Sequence, residues 1–503
     1  MDIQVRNLTT KDYKDLKRSM EKAYGGDTGD VWTRENIVDL IEIFPEGQLC
    51  VEVDGRVVAC ALSLIIDSKK TNIYKKYYEI IDDGKFSTHD YEGDILYGIE
   101  VFVHPDFRSL RLGRRLYDAR KELCEQMNLR GIVAGGRIPN YHTYADKITP
   151  RTYIEKVKRK EIFDPTLTFQ LSNDFHVSKI LKNYLPEDKE SNEFATLLQW
   201  DNIYYDPDAK SSSTSKQTIR LGLVQWQMRL FKDINDFYDQ VEFFVDAVSD
   251  YGSDFVMFPE FFNTPLMSPY NDLPEHAAME KLSELTAEIV EKLQEFAVSY
   301  NVNIIAGSMP IREYKKLYNA SYLCHRNGSV DVHKKIHITP NEFKYYGMVG
   351  GSEIKVFDTD CGKVGLLVCY DVEFPEVSRI MADQGMQILF VPFMTDTQNG
   401  YMRVRACAQA RAIENECYVA IAGCVGNLPR VNNMDIQYSQ SAVFTPSDFA
   451  FPNNGIKAEA TPNTEMVLIA DVDLYALRDL HEYGTVKILK DRRKDLYEVN
   501  LLK

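Results

Sequence analysis

The chain has 503 residues, of which 44% are apolar and 27% are charged. That composition is typical of globular proteins, and at about 100–200 residues per domain the length predicts two or three domains. The net charge of −16 and the pI of about 5.2 make the chain a polyanion. Because a polyanion is a poor partner for nucleic acid or anionic lipid, we expect small-molecule partners, no nucleic acid and no membrane.

The targeting and cysteine patterns point to a reducing compartment. No apolar run approaches the ~20 residues that cross a bilayer, and the opening MDIQVRNLTTKDYKDL lacks the pattern of a secretory signal. The nine cysteines are scattered without CxxC pairs, which favours free thiols in a cytoplasmic protein. The nine histidines form no HExxH motif and no Cys/His cluster, so no metal site is predicted.

A polar, serine-rich segment divides the chain. DPDAKSSSTSKQT, at 206–218, has no apolar period and has the composition of a linker. We therefore predict a first domain at 1–205, a linker at 206–217 and a second domain at 218–503.

The first part of the chain mixes strands and helices. IQVRNL predicts a strand, and 9–24 predicts a helix with Thr10 as a candidate N-cap. The segment 47–66 predicts a β-hairpin, because Asp54-Gly55 stands between two apolar runs. There follow a strand at 97–103, a basic turn, a helix at about 112–129 and a strand at 131–136.

The second part alternates more regularly and predicts an α/β fold built on buried sheets. Predicted strands are IRLGLVQWQ, FVMFPE, NIIAGSM, KVGLLVC, QILFVPF and CYVAIAGCV. Predicted helices cover about 234–251 and 277–300, and further helical stretches separate the later strands.

Three segments of the second part carry side chains suited to amide hydrolysis. FVMFPEFF ends a strand at Glu260, VDVHKKIHITPNE carries Lys334, Lys335 and Glu342, and GLLVCYDVEFPE places Cys369 between an apolar strand and a helix. The start of that helix favours a nucleophilic thiol, and the backbone N–H of Tyr370 is a candidate oxyanion donor. Taken singly, Glu260 is more often a surface or capping residue, Lys335 a solvated charge and Cys369 a core cysteine. The order and context of the three together favour the catalytic interpretation.

These segments resemble the nitrilase superfamily of carbon–nitrogen hydrolases over nearly all of 218–497. The matching motifs are FPE, HKKIHI, CYDVEFPE and QARAIEN, in that order. The resemblance implies that Glu260 is the general base, Lys335 stabilises the oxyanion and Cys369 is the nucleophile. It places Glu342 where the family's second glutamate is expected, as a catalyst or a brace. It also implies an αββα sandwich that pairs into a homodimer or higher homo-oligomer, and no cofactor for the hydrolase.

The sequence departs from the family pattern near the nucleophile. Where many members have an arginine three or four residues after the cysteine, this chain has Val372 and Glu373. An acidic side chain there predicts disfavoured carboxylate substrates and a substrate-binding role for Glu373 toward an amine. The alternative is that Glu373 is a charge favourable to the start of a helix.

The first part carries an arginine-rich, glycine-containing turn, VFVHPDFRSLRLGRRLYDAR, where a strand ends and a helix begins. Such a turn is a candidate pyrophosphate site, because backbone N–H groups and guanidinium groups both bind its oxygens. A basic surface turn is the plain alternative.

The layout of about 3–171 resembles the GNAT family of acyl-CoA-dependent N-acetyltransferases, whose turn reads Arg/Gln-x-x-Gly-x-Gly/Ala. Arg108 and Gly113 fit, and Arg111 replaces the first glycine. The resemblance implies acetyl-CoA as the cofactor, with binding residues Val101, Val103, Arg108, Arg111, Gly113 and Arg114. It also implies Glu100 as a base and Tyr141 or Tyr144 as the acid.

We expect hydrolysis of a small linear amide or carbamoyl compound through a cysteine thioester, together with an acetyl-CoA-dependent N-acetyltransferase domain. The alternative is that the GNAT-like half is a non-catalytic, acyl-CoA-sensing module that regulates the hydrolase. Two further hypotheses stay open: the halves share a substrate, or the hydrolase passes its acyl group to an amine instead of water.

Overall fold

The computed structural model describes residues 2–24, 32–186, 188–205, 218–431 and 436–502. The predicted linker at 206–217 lies outside the described residues. The chain divides into two compact units, Met1–Lys216 and Gln217–Lys503, called here the N-terminal and C-terminal units. Among the described residues, no helix is long and apolar enough to cross a membrane.

The N-terminal unit is a seven-stranded sheet flanked by helices. Its strands are β1 (Ile3–Asn7), β2 (Leu49–Val53), β3 (Arg56–Ile66), β4 (Ile95–Val103), β5 (Gly131–Arg137), β6 (His176–Lys182) and β7 (Phe194–Asp201). Its helices are α1 (Tyr13–Ala23), α2 (Arg34–Ile43), α3 (Tyr77–Ile80), α4 (Leu112–Gln126), α5 (Pro150–Lys158) and α6 (Pro165–Leu171). The strand order is β1-β2-β3-β4-β5-β7-β6, and β4 and β5 form its parallel pair.

Most of the elements predicted for this unit are present, with differences in detail. The hairpin is confirmed, and Asp54 and Gly55 both have the positive φ angles, 47° and 78°, that a tight two-residue turn requires. The prediction of Thr10 as the cap is wrong. The N-cap of α1 is Asp12, and Thr10 lies in the preceding 3₁₀ turn, Thr10–Asp12, whose N-cap is Thr9. The N–H and the hydroxyl of Thr9 both donate to the carboxylate of Asp12 at 2.8 Å.

The β4 strand leaves its neighbour β5 partway along. The pairing ends at Gly98 and Ala134, while β4 continues to Val103. A β-bulge at Ile99 shifts the register against β3, so that Leu62 pairs with Glu100 and Ser63 with Gly98. Beyond the bulge, no strand in the described part of the chain pairs with β4 on the side of β5.

In its described residues, the C-terminal unit contains fourteen strands and six α-helices. Its strands are β8 (Thr218–Gln227), β9 (Phe255–Met257), β10 (Asn303–Ile305), β11 (Met309–Glu313), β12 (Lys316–Cys324), β13 (Val330–Lys334), β14 (Val356–Thr359), β15 (Gly362–Leu366), β16 (Ile388–Phe393), β17 (Tyr418–Asn427), β18 (Ile436–Gln437), β19 (Ala442–Phe444), β20 (Ile456–Glu459) and β21 (Met466–Asp473). Its helices are α7 (Ile234–Asp250), α8 (Glu275–Ser283), α9 (Thr286–Tyr300), α10 (Pro375–Asp383), α11 (Gln398–Glu414) and α12 (Leu474–Tyr483).

These strands form two sheets that pack face to face. One sheet runs from β21 through β8, β9 and β10 to β12, with β11 and β13 beside β12, and the other runs β20-β19-β17-β16-β15-β14. The sheets meet where β8 and β17 pair at Trp226 and Cys424. One buried cluster, including Leu223 and Phe390, fills the space between them.

Helices cover the outer face of each sheet. A second buried cluster packs α7 and α9 against the first sheet, and a third packs α10 and α11 against the second. The layers are therefore helix, sheet, sheet and helix, and the predicted αββα sandwich is confirmed.

One predicted helix of this unit is divided. The periodic segment at 277–300 forms two helices, α8 and α9, with a break at Glu284 and Leu285. The hydroxyl of Thr286 donates to the carbonyl of Pro310 at 2.6 Å, which fixes the start of α9. α8 packs on β11 and on the 3₁₀ segment Thr264–Tyr270, whereas α9 packs on α7, β10 and β12. Because the two halves of the segment have different main partners, tertiary contacts override the continuous pattern.

Candidate functional site

Three segments of the C-terminal unit bring their polar side chains together in the interior. Glu260 follows β9 and bridges to Ser308, Lys335 directly follows β13, and Cys369 lies three residues after β15. The exposed fractions of the Glu260, Lys335 and Cys369 residues are 2%, 1% and 7%. The predicted triad is thus assembled in a nearly dry site, where electrostatic interactions are stronger than in water.

The lysine ammonium group is held between two carboxylates. Lys335 Nζ lies 2.9 Å from Glu260 Oε1, and it lies 2.9 and 2.8 Å from Glu342 Oε1 and Oε2. Removing one partner of such a buried ion pair leaves an uncompensated charge, so the three groups act as a unit.

Glu342 stands in a π-helical turn, Glu342–Tyr346, and is itself fixed by a neighbour. Its Oε2 accepts hydrogen bonds from the backbone N–H and the hydroxyl of Thr339, both at 2.9 Å. These contacts leave Glu342 well placed to orient the lysine. Its role as brace or catalyst stays a prediction.

The backbone at the predicted nucleophile is strained. Cys369 has φ of +47°, in the left-handed region that non-glycine residues rarely adopt. It begins a five-residue 3₁₀ helix, Cys369–Glu373, and α10 begins only at Pro375. The longer helix expected to start directly after the thiol is therefore displaced, and its dipole acts from farther away than predicted. Tyr370, whose N–H is the predicted oxyanion donor, lies in this short turn.

Burial and charge set the protonation of the site. Burial raises the pKa of the Cys369 thiol well above its ordinary value, and the Glu260 carboxylate raises it further. Burial also raises the pKa of Glu260. The thiol itself donates to the backbone carbonyl of Met394 at 3.9 Å. Burial alone would lower the pKa of Lys335, but Glu260 and Glu342 raise it well above its ordinary value. The thiol is therefore protonated at neutral pH and needs a base, and Glu260 is the carboxylate beside it.

Two contacts of this site were missed by the sequence reasoning. The side-chain amide of Asn319, in β12, donates to Glu260 Oε1 and Glu342 Oε1, both at 2.9 Å. The backbone N–H of Met394 donates to Glu260 Oε2 at 2.9 Å. The signal for Asn319 was an amide side chain inside the largely apolar strand KLYNASYLC. Met394 donates through its backbone, so its side chain carried no signal.

Glu373 lies at the edge of the nucleophile turn. Its carboxylate is 3.6 Å from Arg403 Nε, and its backbone carbonyl accepts a hydrogen bond from Arg411 at 3.2 Å. The nearby arginine offsets its charge, and the predicted role in binding an amine stays a prediction.

The predicted pyrophosphate turn of the N-terminal unit has an unusual backbone. Arg111, which replaces a family glycine, adopts the left-handed conformation with φ of 51° and stands directly before α4. The turn therefore keeps the conformation that glycine favours. Arg108 and Arg111 are exposed and Arg114 is half-buried, while a side chain at Gly113 would lie 2.9 Å from the ring of Phe169. Val101 and Val103 lie on the stretch of β4 that β5 leaves unpaired.

Glu100 is surrounded by tyrosines, but not by the predicted ones. The buried hydroxyl of Tyr24 lies beside its carboxylate, and Tyr77 donates to the carbonyl of Ile99 at 3.3 Å. Burial raises the pKa of Glu100 above its ordinary value. Tyr184, whose hydroxyl is 2.6 Å from that of Tyr97, belongs to the same face of the sheet.

The two tyrosines predicted as acids lie on the other face of the sheet. Tyr141 is buried there and donates its hydroxyl to the carbonyl of Ile148 at 3.1 Å. Tyr144 packs against Tyr153 with ring centroids 5.5 Å apart. The structure therefore brings neither of them together with Glu100. Within the described ranges, no three His, Cys, Asp or Glu side chains are grouped to hold a metal ion.

The fold and this site are those of a carbon–nitrogen hydrolase domain, which follows a separate N-terminal domain. Comparison with known families agrees for both parts. Residues 220–482 match the family model described as carbon-nitrogen hydrolase, and residues 14–145 match the acetyltransferase (GNAT) family. The chain belongs to the carbon–nitrogen hydrolase family, with a GNAT acetyltransferase domain at its N-terminus. The predicted family is thereby confirmed for both parts.

Three relatives match the whole chain or one of its two parts. The chain is 45% identical over 500 residues to the probable hydrolase YhcX of Bacillus subtilis (strain 168), covering 99% of this chain and 97% of that protein. It is 30% identical over 205 residues to the uncharacterized N-acetyltransferase YkwB of the same organism, and the match covers 40% of this chain and 90% of that protein. It is 30% identical over 292 residues to the omega-amidase NIT2 of Mus musculus, and the match covers 56% of this chain and 98% of that protein.

Proposed function

We propose that the C-terminal unit hydrolyses a small linear amide or carbamoyl compound through a thioester on Cys369. The observation that carries this proposal is the buried group formed by Lys335, Glu260 and Glu342 beside a protonated thiol. A surface ion pair or a core cysteine would not need three ionisable partners buried together.

The first half of the reaction breaks the carbon–nitrogen bond. Glu260 takes the proton of the Cys369 thiol as the sulfur attacks the carbonyl carbon, and the carbonyl oxygen becomes an oxyanion. Lys335 Nζ and the N–H of Tyr370 stabilise that oxyanion. The oxyanion then collapses, the carbon–nitrogen bond breaks, and Glu260 returns the proton to the departing ammonia or amine.

The second half restores the enzyme. Glu260, again ionised, takes a proton from water as the water oxygen attacks the thioester carbon. The carbon–sulfur bond breaks, the proton returns to the thiolate, and the carboxylic acid leaves. Because burial raises the pKa of Glu260, this carboxylate is a stronger base than an exposed one. One amide and one water thus give one acid and one amine.

The substrate class is the finer part of this proposal. One relative is named an omega-amidase, which makes the terminal amides of dicarboxylates one class to test on this chain. Those amides carry a free carboxylate, which Glu373 is predicted to disfavour, so simple amides without a carboxylate are tested beside them. Carbamoyl amines come next, and nitriles are the least expected. We also propose that the protein acts in the cytoplasm. We further propose that it forms a homo-oligomer through the C-terminal unit.

For the N-terminal unit we propose acetyl-CoA-dependent N-acetyl transfer. The left-handed turn at Arg111, the start of α4 and the unpaired stretch of β4 fit a pyrophosphate and an extended chain beside the strand. Acetyl-CoA would supply an activated acetyl thioester there. Glu100, half-buried beside Tyr24, would accept the proton of an amine.

Ammonia release tests the hydrolase proposal. Purified full-length protein is offered ω-amides of dicarboxylates, simple amides, carbamoyl amines and nitriles, beside Cys369→Ala and the control Cys407→Ala. We expect release from at least one compound, a loss of at least about 10³-fold in Cys369→Ala, and little change in Cys407→Ala, whose thiol is half-buried in α11. Release that survives in Cys369→Ala would overturn the proposal.

A further inference from the structure

A buried carboxylate stands two residues after the nucleophile and has no part in the proton transfers above. Asp371 is 0% exposed. Its Oδ1 accepts hydrogen bonds from the backbone N–H of His337 at 2.7 Å and from His337 Nδ1 at 2.9 Å. Its Oδ2 accepts from the N–H groups of Ile336 and Val368 at 3.2 and 3.3 Å. Four donors from two separate segments therefore converge on one side chain.

The positions of those donors in the sequence are informative. Ile336 and His337 directly follow Lys335, and Val368 directly precedes Cys369. Through Asp371, the segment that carries the oxyanion-stabilising lysine is fastened to the turn that carries the thiol. Strand pairing does not join the two segments here, because Ile336 and His337 lie just beyond the end of β13 and Val368 lies just beyond the end of β15.

Aromatic stacking supports the same connection. The ring of His337 stacks on Phe374, with centroids 3.7 Å apart and planes 8° from parallel. Phe374 ends the short helix that Cys369 begins, and Tyr370 packs edge-on against it at 5.0 Å. His337 is thus fixed both to the carboxylate and to the far end of the nucleophile turn.

The charge of Asp371 is maintained by its surroundings. Burial alone would raise its pKa, but the neighbouring His333, the hydrogen bonds from His337 and the charge of Lys335 hold the pKa well below the usual range. His333 Nε2 lies 3.8 Å from Oδ2. The carboxylate is therefore ionised throughout the physiological range, and both of its oxygens act as acceptors.

We propose that Asp371 is a positioning residue of the hydrolase, which holds Lys335 and Cys369 in the mutual placement that attack on the carbonyl requires. The inference depends on the proposed function of Cys369. A displacement of about 1 Å at a reacting centre costs on the order of 10²-fold in rate. A lysine and a thiol on independently moving segments would incur such losses.

Substitution by asparagine tests this role with little change in shape. Donors approach both oxygens of Asp371, so the amide N–H₂ of Asp371→Asn faces an N–H group in either orientation. At least one of the two segments then loses its acceptor.

The first readout needs no substrate. The rate of alkylation of Cys369 by iodoacetamide in the full-length protein is followed by peptide mass spectrometry over a range of pH. In Asp371→Asn we expect the rate at pH 7 to fall at least tenfold. On the best amide from the ammonia panel, we expect kcat to fall about 10²-fold while KM changes less than threefold.

A matched control separates positioning from stability. Asp254 is also a buried carboxylate of this unit, and it accepts the backbone N–H of Arg220 at 2.9 Å, far along the chain from both segments. We expect Asp254→Asn to lower the unfolding temperature while leaving the alkylation rate of Cys369 and its pH profile unchanged. Equal effects of the two substitutions on Cys369 would overturn the proposal.

A second pair of variants covers the case in which Asp371→Asn does not fold. His337→Phe keeps the stacking on Phe374 but removes the Nδ1 donor, whereas His337→Asn restores a donor at a similar distance from the backbone. We expect the kcat of His337→Asn to exceed that of His337→Phe at least fivefold, and equal values would count against the role of Asp371. Ammonia release that survives in Cys369→Ala would overturn the proposed function itself, and this inference with it.

Discussion

At the residue scale, the active site carries more negative than positive charge. Glu260 and Glu342 share the one ammonium group of Lys335, and all three are buried. The side-chain amide of Asn319 supplies the missing positive partial charges, because its two N–H hydrogens are directed at one oxygen of each carboxylate. Asn319 thus reduces the repulsion between two carboxylates that must both remain ionised.

Replacing Asn319 by aspartate is expected to shift the pH dependence of the hydrolase. A third buried carboxylate would raise the pKa of Glu260 further, since like charges disfavour ionisation. Glu260 acts as a base only when ionised, so the acidic limb of kcat/KM should move to higher pH in Asn319→Asp. Profiles of kcat/KM against pH, on the best amide of the panel, measure this shift.

Asn303→Asp provides the comparison for that measurement. Asn303 is equally buried in the same unit, and its amide donates to the carboxylate of Asp360 at 3.0 Å, away from the triad. Its substitution should lower stability and leave the acidic limb in place. An unmoved limb in Asn319→Asp would show that Asn319 has no electrostatic effect on Glu260.

The sequence predicts some of these residues and not others. Glu260, Lys335 and Cys369 stand in motifs whose order is distinctive, so their convergence could be expected before the structure was known. Asn319 and Asp371 act through hydrogen bonds to residues far along the chain, and such partners are set by tertiary packing. A single asparagine in a strand or an aspartate in a turn has many plainer explanations.

At the element scale, one close backbone contact fixes the strand end that carries Glu260. Gly307 has φ of +52°, and a Cβ there would lie 1.8 Å from the carbonyl oxygen of Pro259. Pro259 directly precedes Glu260. Ser308, which directly follows Gly307, forms an isolated β-bridge with Glu260. Glycine is required here both for the φ angle and for the approach of two chains.

Gly307→Ala is therefore expected to destabilise the C-terminal unit by roughly 2–5 kcal/mol and to reduce ammonia release. Gly252→Ala serves as the control, because Gly252 also has a positive φ, +67°, but its Cβ would meet nothing within 4 Å. That variant should cost about 1 kcal/mol and leave activity unchanged. Urea-unfolding midpoints and ammonia release distinguish the two, and equal costs would show that the close contact is relieved by a backbone shift.

Most elements of the fold were predictable from periodicity, and their ends were not. The buried apolar runs of β8, β16 and β17 appear as expected, because a strand covered on both faces needs apolar side chains throughout. The break between α8 and α9 and the π-helical turn at Glu342–Tyr346 lack any local signal. Both depend on what the segment packs against.

At the scale of the whole molecule, two compact units each carry their own set of polar groups. The triad comes entirely from the C-terminal unit, and the arginine turn and Glu100 come entirely from the N-terminal unit. Each proposed activity therefore has its residues within one unit. The homo-oligomer implied by the family resemblance stays a prediction.

Substitutions in one unit are expected to leave the activity of the other intact. In the full-length protein, Arg108→Ala combined with Arg114→Ala should weaken acetyl-CoA binding at least tenfold and leave ammonia release unchanged. Cys369→Ala should abolish ammonia release and leave acetyl-CoA binding unchanged. The physical reason is that guanidinium groups bind pyrophosphate oxygens through charge-assisted hydrogen bonds. Calorimetry with acetyl-CoA measures the first effect.

Arg151→Ala is the control for that measurement, because Arg151 is an exposed arginine of the same unit, at the start of α5. The Arg151→Ala variant should bind acetyl-CoA with the affinity of the wild-type protein. No heat and no thermal shift with wild-type protein at millimolar acetyl-CoA would contradict the proposal that this unit binds it.

The pairing of β8 with β21 has a consequence for how the chain is made. Arg220 and Asp471 are register partners and form an ion pair across 251 residues of sequence. A ribosome that adds ~5–20 residues per second would deliver the partner strand roughly 12–50 s after β8 has been synthesised. During that interval one edge of β8 has no neighbour, while every strand of the N-terminal unit has already been translated. We therefore expect nascent chains halted before β21 to hold a protease-resistant N-terminal unit and a protease-sensitive remainder.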